Sequence, residues 1–204
     1  MERGTFVTFE GGEGAGKTTL VQALIPFLQA KGKNLLTTRA PGGTSLGASL
    51  RSFLLHTEKH TISSCAELFL FLADRAQHVE EVILPALRAG SLVLCDRFND
   101  STIAYQGGAR HFDVSFLEML CQFASQGLEP NITFYLDIDP ELGALRTIKR
   151  GGTIDRIEQE ELSVHKNIRR IYLELARKYP QRIHILDATL PVDALVTLAM
   201  DVLV

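Results

Sequence analysis

Short apolar runs alternate along this chain with longer stretches in which apolar positions recur every three or four residues. The short runs, Thr5–Phe9, Asn34–Thr38, Leu92–Cys95, Ile132–Ile138 and Arg182–Leu186, read as strands. The longer ones read as helices over about Lys17–Ala30, Ser45–Leu55, Ser64–Arg88, Val114–Ser125, Glu158–Lys178 and Val192–Val204. Ser64 followed three residues later by Glu67 has the form of a capping box, and Gly90 closes the far end of that helix. Strands that alternate with helices predict an α/β fold, a parallel sheet of about five strands covered by helices on both faces. No repeat, low-complexity tract or linker divides the chain, so a single domain over residues 1–204 is expected.

In sheets of this kind ligands bind beyond the carboxyl ends of the strands. Those ends carry Glu10, Arg39, Asp96-Arg97 and Asp187, which places the interesting polar residues on one rim. The first strand leads into Gly11-Gly12-Glu13-Gly14-Ala15-Gly16-Lys17-Thr18, a complete G-x-x-x-x-G-K-[ST] loop between a strand and a helix. Its glycines let successive N–H groups curl inward around a polyphosphate, and the following helix adds the positive end of its dipole. Lys17 is the residue that reaches the β- and γ-phosphates of a nucleoside triphosphate, and the Thr18 hydroxyl is placed to ligate Mg²⁺. The alternative is a flexible glycine-rich turn, which the flanking strand and helix argue against.

Arg39 follows the second strand within Thr38-Arg39-Ala40-Pro41-Gly42-Gly43-Thr44, and Arg97 follows the third. Each guanidinium offers a planar fork suited to a pair of phosphate oxygens, whereas a random arginine is more often an ordinary surface residue. Asp96 is a candidate to organise Mg²⁺ through water, and a lone aspartate after a strand is equally suited to capping a turn.

Composition changes the picture only by exclusion. The 204 residues are 46% hydrophobic, enough for one sizeable core, and the net charge of −3 points to neither nucleic acid nor a membrane surface. No apolar run is long enough to span a bilayer. Cys65, Cys95 and Cys121 are widely spaced and lie among apolar residues, which reads as buried, reduced thiols. Met1-Glu2-Arg3-Gly4 leads straight into the first strand without a signal sequence, so a soluble, cytoplasmic protein is expected.

The segment Glu67-Leu68-Phe69-Leu70-Phe71-Leu72-Ala73-Asp74-Arg75-Ala76-Gln77-His78 puts Phe71 and Arg75 on one helical face. A ring beside a guanidinium suits a planar base, stacked on one and hydrogen-bonded by the other. Phe69, Phe71 and Leu72 as plain core is the competing reading. A second basic cluster, Arg146, Lys149, Arg150 and Arg156, surrounds Gly151-Gly152. By itself it reads as a solvated basic loop, and in a P-loop fold it reads as a mobile lid at about 146–157 that closes over phosphates.

Taken together, FEGGEGAGKTT, TRAPGGT, LFLADRAQH, DRFNDSTIAYQGG and the basic stretch ending DRIEQE resemble the thymidylate kinase family, bacterial type, in collinear order over essentially the whole chain. The resemblance implies a P-loop nucleoside monophosphate kinase that transfers the γ-phosphate of ATP to dTMP, with Mg²⁺, as a homodimer. It implies that Phe71 stacks on thymine, that Arg75 hydrogen-bonds a base carbonyl, and that Thr102, with Ser101 and Gln106, meets the N3 edge. Tyr105 then stands where the family crowds the sugar 2′ position, and Glu13 where it meets the 3′-hydroxyl and the metal–water network. Arg39 and Arg97 would hold the acceptor phosphate. Lys17, Arg97, Glu13 and Arg150 would carry the catalysis, because the P-loop lacks an arginine and the lid residues Arg146, Arg150 and Arg156 supply it. Two departures stand out: Ala40 replaces the family's usual glutamate before the Pro-Gly-Gly turn, and Ile148 interrupts the basic stretch.

Two rival classes remain at the level of sequence. A kinase for another monophosphate or a deoxynucleoside is disfavoured by Phe71, Arg75 and Tyr105-Gln106. A GTPase-like switch protein needs a guanine-reading N-K-x-D element, which the chain lacks.

Overall fold

The computed structural model describes residues 4–56, 62–151 and 156–203. In chain order the elements are β1 (Thr5–Glu10), α1 (Lys17–Ala30), β2 (Leu35–Arg39), α2 (Ser45–His56), α3 (Ser64–His78), a π-helical stretch over Val79–Ile83, and α4 (Leu84–Arg88). There follow β3 (Leu92–Asp96), α5 (Asn99–Arg110), α6 (Val114–Ala124), β4 (Ile132–Asp137), α7 (Pro140–Arg150), α8 (Leu162–Lys178), β5 (Ile183–Asp187) and α9 (Val192–Leu203).

Among the described residues, the strands form one parallel sheet in the order β2-β3-β1-β4-β5. From β1 the chain runs to the edge strand β2, returns to place β3 beside β1, and then crosses to β4 and β5 on the other side, so the direction of winding changes around β1. That reversal opens a crevice at its carboxyl end, where ligands of such sheets bind. Alternate side chains serve opposite faces. Val7, Phe9, Leu92, Leu94, Phe134 and Leu136 pack against α1 and α9. Phe6, Val93 and Cys95 meet the π-helical stretch and Phe98, while Tyr135 and Ile183 meet α3, α5, α6 and α8. Helices therefore cover both faces, as the pattern predicts.

Two helices were not evident in the periodicity. In α5 every residue from Asp100 to Gly108 is buried, so no polar face marks it as amphipathic. Its Gly107-Gly108 serves a close helix crossing. A Cβ on Gly108 would lie 2.8 Å from the Ile168 backbone nitrogen of α8. In α7, Asp139 caps the start by accepting from the Glu141 N–H at 2.9 Å, with Pro140 at the first turn. Arg146, Lys149 and Arg150 thus stand on a helix that ends at Gly151, not in a loop, and residues 152–155 of the expected lid lie outside the described residues.

Smaller boundaries also differ. The cap of α3 is Ser63, whose hydroxyl accepts from the Ala66 N–H, one residue before the expected Ser64. Glu67 makes no capping box because its carboxylate is occupied elsewhere. The single helix expected over Ser64–Arg88 is interrupted by the π-helical stretch just before Pro85, which has no N–H to continue an α-helical ladder. Gly90 does close that stretch, with φ 78 and a bond from the Ser91 N–H back to the Ala86 carbonyl. Cys95 and Cys121 are buried, but Cys65 is exposed on the first turn of α3.

Candidate active site

The loop after β1 holds Lys17 inside itself. The ammonium donates to the carbonyls of Gly11 at 3.1 Å and Gly12 at 2.9 Å. Burial, and then the charge of Arg97, push Lys17 down to about 8. The loop rests on α7 at a point where neither partner tolerates a side chain: a Cβ on Gly14 would lie 2.2 Å from the Gly143 carbonyl oxygen, and one on Gly143 would lie 2.4 Å from that of Glu13. At the start of α1, the Thr18 hydroxyl donates to Asp96 Oδ2 at 2.7 Å. The strand alternation that buries Leu94 against α1 turns Asp96 toward the same helix. Thr18 and Asp96, placed far apart in the chain, form one pair of hard oxygen donors of the kind Mg²⁺ takes.

The next residue, Arg97, has φ 71, a left-handed backbone uncommon outside glycine. That turn carries its guanidinium over the loop. It donates to the Gly11 carbonyl at 3.0 Å, to Ser101 Oγ at 3.2 Å and to Glu13 Oε1 at 2.7 Å. The same Glu13 oxygen accepts from the Tyr105 hydroxyl at 2.7 Å. Burial would raise Glu13, but Arg97, Lys17 and Tyr105 outweigh it and hold the carboxyl at about 2. Beneath this pair lies Glu10, fully buried, which accepts from the Phe98 N–H at 2.7 Å and the Tyr172 hydroxyl at 3.2 Å and also bonds Ser101. Burial, with the nearby Asp100, pushes Glu10 up.

Two cavities meet at Glu13 and Arg97. The smaller is lined by Phe71, Arg75, Ser101, Thr102, Tyr105 and Gln106, together with Ala40, Pro41 and Arg51. The larger cleft runs along the P-loop, Thr18 and Asp96 to Arg146, Arg150 and Leu190. Arg39 opens on this cleft rather than on the smaller cavity, whereas Arg51 of α2 lines both.

The helical face read from α3 is present. Phe71 is half-buried at the cavity, Leu72 is core and Phe69 is 58% exposed, so the plain-core reading holds only for Leu72. Arg75 is buried with its guanidinium 4.2 Å from the Phe98 ring centroid, and its Nε and Nη1 have no protein partner among the described residues. The three lid arginines separate. Arg146 donates to the Ala188 carbonyl at 2.8 Å and Arg150 pairs with Glu158 at 2.7 Å, both at the larger cleft. Arg156 instead pairs with Glu67 and donates to the Leu54 carbonyl at 3.2 Å, on the side of the smaller cavity.

Some participants escaped the sequence reading. Asp74 accepts from the Gly42 N–H at 3.0 Å and Arg51 donates to the Pro41 carbonyl at 3.0 Å, and together they hold the Pro-Gly-Gly turn. Nothing local marks them, because their partners come from another element. Asp187, on the rim, accepts from Thr189 and caps its own turn.

A parallel sheet with a phosphate-binding loop at its switch point, an acidic partner for the loop threonine and an arginine shared between two cavities defines a P-loop nucleoside monophosphate kinase. The sequence profile of the thymidylate kinase family matches residues 9–198. Thymidylate kinase from Protochlamydia amoebophila is 49% identical over 193 residues, covering 91% of this chain and 86% of the relative. That from Desulfovibrio desulfuricans is 48% identical over 197 residues, covering 94% and 91%. The enzyme from Acaryochloris marina is 46% identical over 205 residues, covering 91% and 89%. The chain belongs to the thymidylate kinase family. Among its described residues no helix is long and apolar enough to cross a membrane.

Proposed function

We propose that this chain transfers the γ-phosphoryl group of ATP to the 5′-phosphate of dTMP, giving dTDP and ADP. The observation that carries the reading is that Arg97 and Glu13 line both cavities at once, so a donor in one and an acceptor in the other meet at the same guanidinium. ATP occupies the larger cleft with its β- and γ-phosphates in the loop from Gly11 to Thr18, against Lys17. The nucleotide acceptor occupies the smaller cavity, its base stacked on Phe71 and bonded by Arg75, with Ser101, Thr102 and Gln106 at the N3 edge. Tyr105 stands against the sugar 2′ position and Glu13 near the 3′-hydroxyl, while Arg97 holds the acceptor phosphate where the cavities meet and Arg39 reaches it from the larger cleft.

An oxygen of the acceptor phosphate attacks Pγ as the bond from Pγ to the β-bridging oxygen breaks, and ADP leaves with that electron pair. The attacking group is a phosphate monoester dianion, nucleophilic at neutral pH, so no side chain has to remove a proton. The obstacle is repulsion between anions, together with in-line geometry. Lys17 and Arg97 supply positive charge where the phosphoryl group passes. Arg150, with Arg146, adds charge from α7, and the segment at about 146–157 acts as a lid that excludes water. Thr18, through its hydroxyl, and Asp96 are the residues that would hold Mg²⁺, which would supply positive charge to offset that of the donor phosphates.

A single domain in the cytoplasm fits the composition. Homodimerisation is supported by an apolar surface on neighbouring helices, Phe69 of α3 with Phe116, Met119 and Phe123 of α6, the last 85% exposed. An ADP-release assay with ATP and a panel of nucleoside and deoxynucleoside monophosphates tests the reading. Preference for dTMP is expected, and comparable turnover across unrelated bases overturns it.

A further inference from the structure

Glu67 is 2% exposed in the first turn of α3, and N–H donors surround its carboxylate. Arg110 reaches Oε1 at 3.1 Å and Oε2 at 3.3 Å, Arg156 pairs with Oε2, and the Gln106 amide nitrogen donates to Oε1 at 2.8 Å. Burial alone would raise this carboxyl, but hydrogen bonds from Arg110, Gln106 and Arg156 hold it below the usual carboxylate range. An ionised carboxylate only accepts hydrogen bonds. The end of the Gln106 amide that faces it is therefore the NH₂ end, because the reversed amide would set oxygen against oxygen. The other end, Oε1, is buried beside the smaller cavity that Gln106 lines, with no protein partner among the described residues. A buried carbonyl oxygen left in that state is costly unless a ligand supplies the donor.

We propose that Glu67 is a positioning residue for base selection, fixing the Gln106 amide so that its carbonyl oxygen faces the acceptor base and demands a hydrogen-bond donor there. This inference rests on the reading of the smaller cavity as the acceptor-nucleotide site. Thymine and uracil carry a proton on N3, whereas cytosine presents a lone pair at the same place. An unrestrained glutamine amide turns over and serves either base. One locked by Glu67 serves only the imide type.

The test compares kcat/KM for dTMP, dUMP and dCMP in the wild type, Glu67→Gln, Arg156→Ala and Gln106→Leu. Sites built around a buried hydrogen bond reject an analogue lacking it by roughly 10⁴ or more, so the wild type should disfavour dCMP on that scale. Glu67→Gln replaces a pure acceptor with a group that also donates, freeing the Gln106 amide, and the dTMP to dCMP ratio should fall by about tenfold or more. The dTMP to dUMP ratio should stay unchanged, since both bases carry the N3 proton. Arg156→Ala removes another partner of Glu67 but keeps the Gln106 bond, so it should lower turnover without moving the dTMP to dCMP ratio. An unchanged dTMP to dCMP ratio in Glu67→Gln overturns the proposal. Should that variant not fold, Gln106→Leu decides: collapse of the ratio supports base reading by Gln106, and a retained ratio overturns it. Failure of the wild type to phosphorylate dTMP at all would instead remove the underlying assignment of the cavity.

Discussion

Arg97 and Glu13 face each other across the mouth of the phosphate-binding loop, with Nη2 of one 2.7 Å from Oε1 of the other. The arginine is brought there by its left-handed backbone, and the glutamate by its place inside the loop, so the pair joins the β3 and β1 ends of the sheet. The carboxylate of the phosphate-binding loop thus holds the guanidinium in position where the two cavities meet. Tyr105 donates to that same carboxylate oxygen, which links the pair to the wall of the smaller cavity.

This link separates the two uses of Tyr105. Tyr105→Phe removes the hydrogen bond to Glu13 but keeps the ring. If bulk excludes a 2′-hydroxyl, the ratio of kcat/KM for dTMP over its ribose counterpart should change little. Tyr105→Ala should relax the ratio markedly. An alanine variant with wild-type discrimination would show that the ring is not the sieve.

Lys17 should be indispensable for turnover and dispensable for folding. Lys17→Ala is expected to lower kcat by about 10² or more, because its charge stabilises the moving phosphoryl group more than the ground state. Near-normal turnover with unchanged thermal unfolding contradicts the assignment. A pH effect accompanies this. The group is depressed to about 8 in the folded protein, below its ordinary value, so it loses charge as pH rises through 8. ATP affinity of the ligand-free enzyme should therefore decline above pH 8 and level off below it. The same shift makes the folded state release this proton before the unfolded chain does. Between about pH 8 and 10 its destabilising contribution is thus relieved as pH rises. Calorimetric ATP binding across that range checks the first expectation.

The arginines of the basic cluster should not behave alike. Arg150 lines the larger cleft and is paired with Glu158 at 2.7 Å in this state. On the proposal that Arg150 supplies the arginine the P-loop lacks, Arg150→Ala should lower kcat by about 10³ with little change in KM for dTMP. Arg156 is bonded to Glu67 and to the backbone of α2, so Arg156→Ala should also alter acceptor binding. Wild-type kcat in the variants at Arg146, Arg150 and Arg156, and in the triple variant, would reduce the cluster to a solvated basic surface.

A stability test follows from the crossing of α5 and α8. Gly108→Ala adds a Cβ that would lie 2.8 Å from the Ile168 nitrogen, a backbone atom that cannot swing aside. The variant should lose about 1–3 kcal/mol, the usual scale of overpacking, measured by denaturant unfolding. Gly12→Ala, where a Cβ would meet nothing within 4 Å, should cost less for packing reasons. Equal losses at the two positions would argue that the helix crossing tolerates a side chain.

The sequence by itself determined the alternation of strands and helices, the P-loop and the rim on which its chemistry gathers. Those features are local: a strand's apolar run, a helix's periodicity and a glycine pattern each carry their physical reason within a few residues. Tertiary structure decided what depends on partners from distant elements. Helix α5 was hidden because burial on all sides erased its polar face, and its glycine pair marks a close crossing with α8. Glu67 looked like a capping residue until Arg110, Arg156 and Gln106 arrived from elsewhere to occupy its carboxylate. The arginines of residues 146–156 read as one cluster along the chain, yet α7 carries two of them to the larger cleft while Arg156 turns back to α2 and α3. A carboxylate or guanidinium accepts whichever partner the fold brings within about 3 Å, and that distance is set by packing across the molecule, not by spacing along the chain.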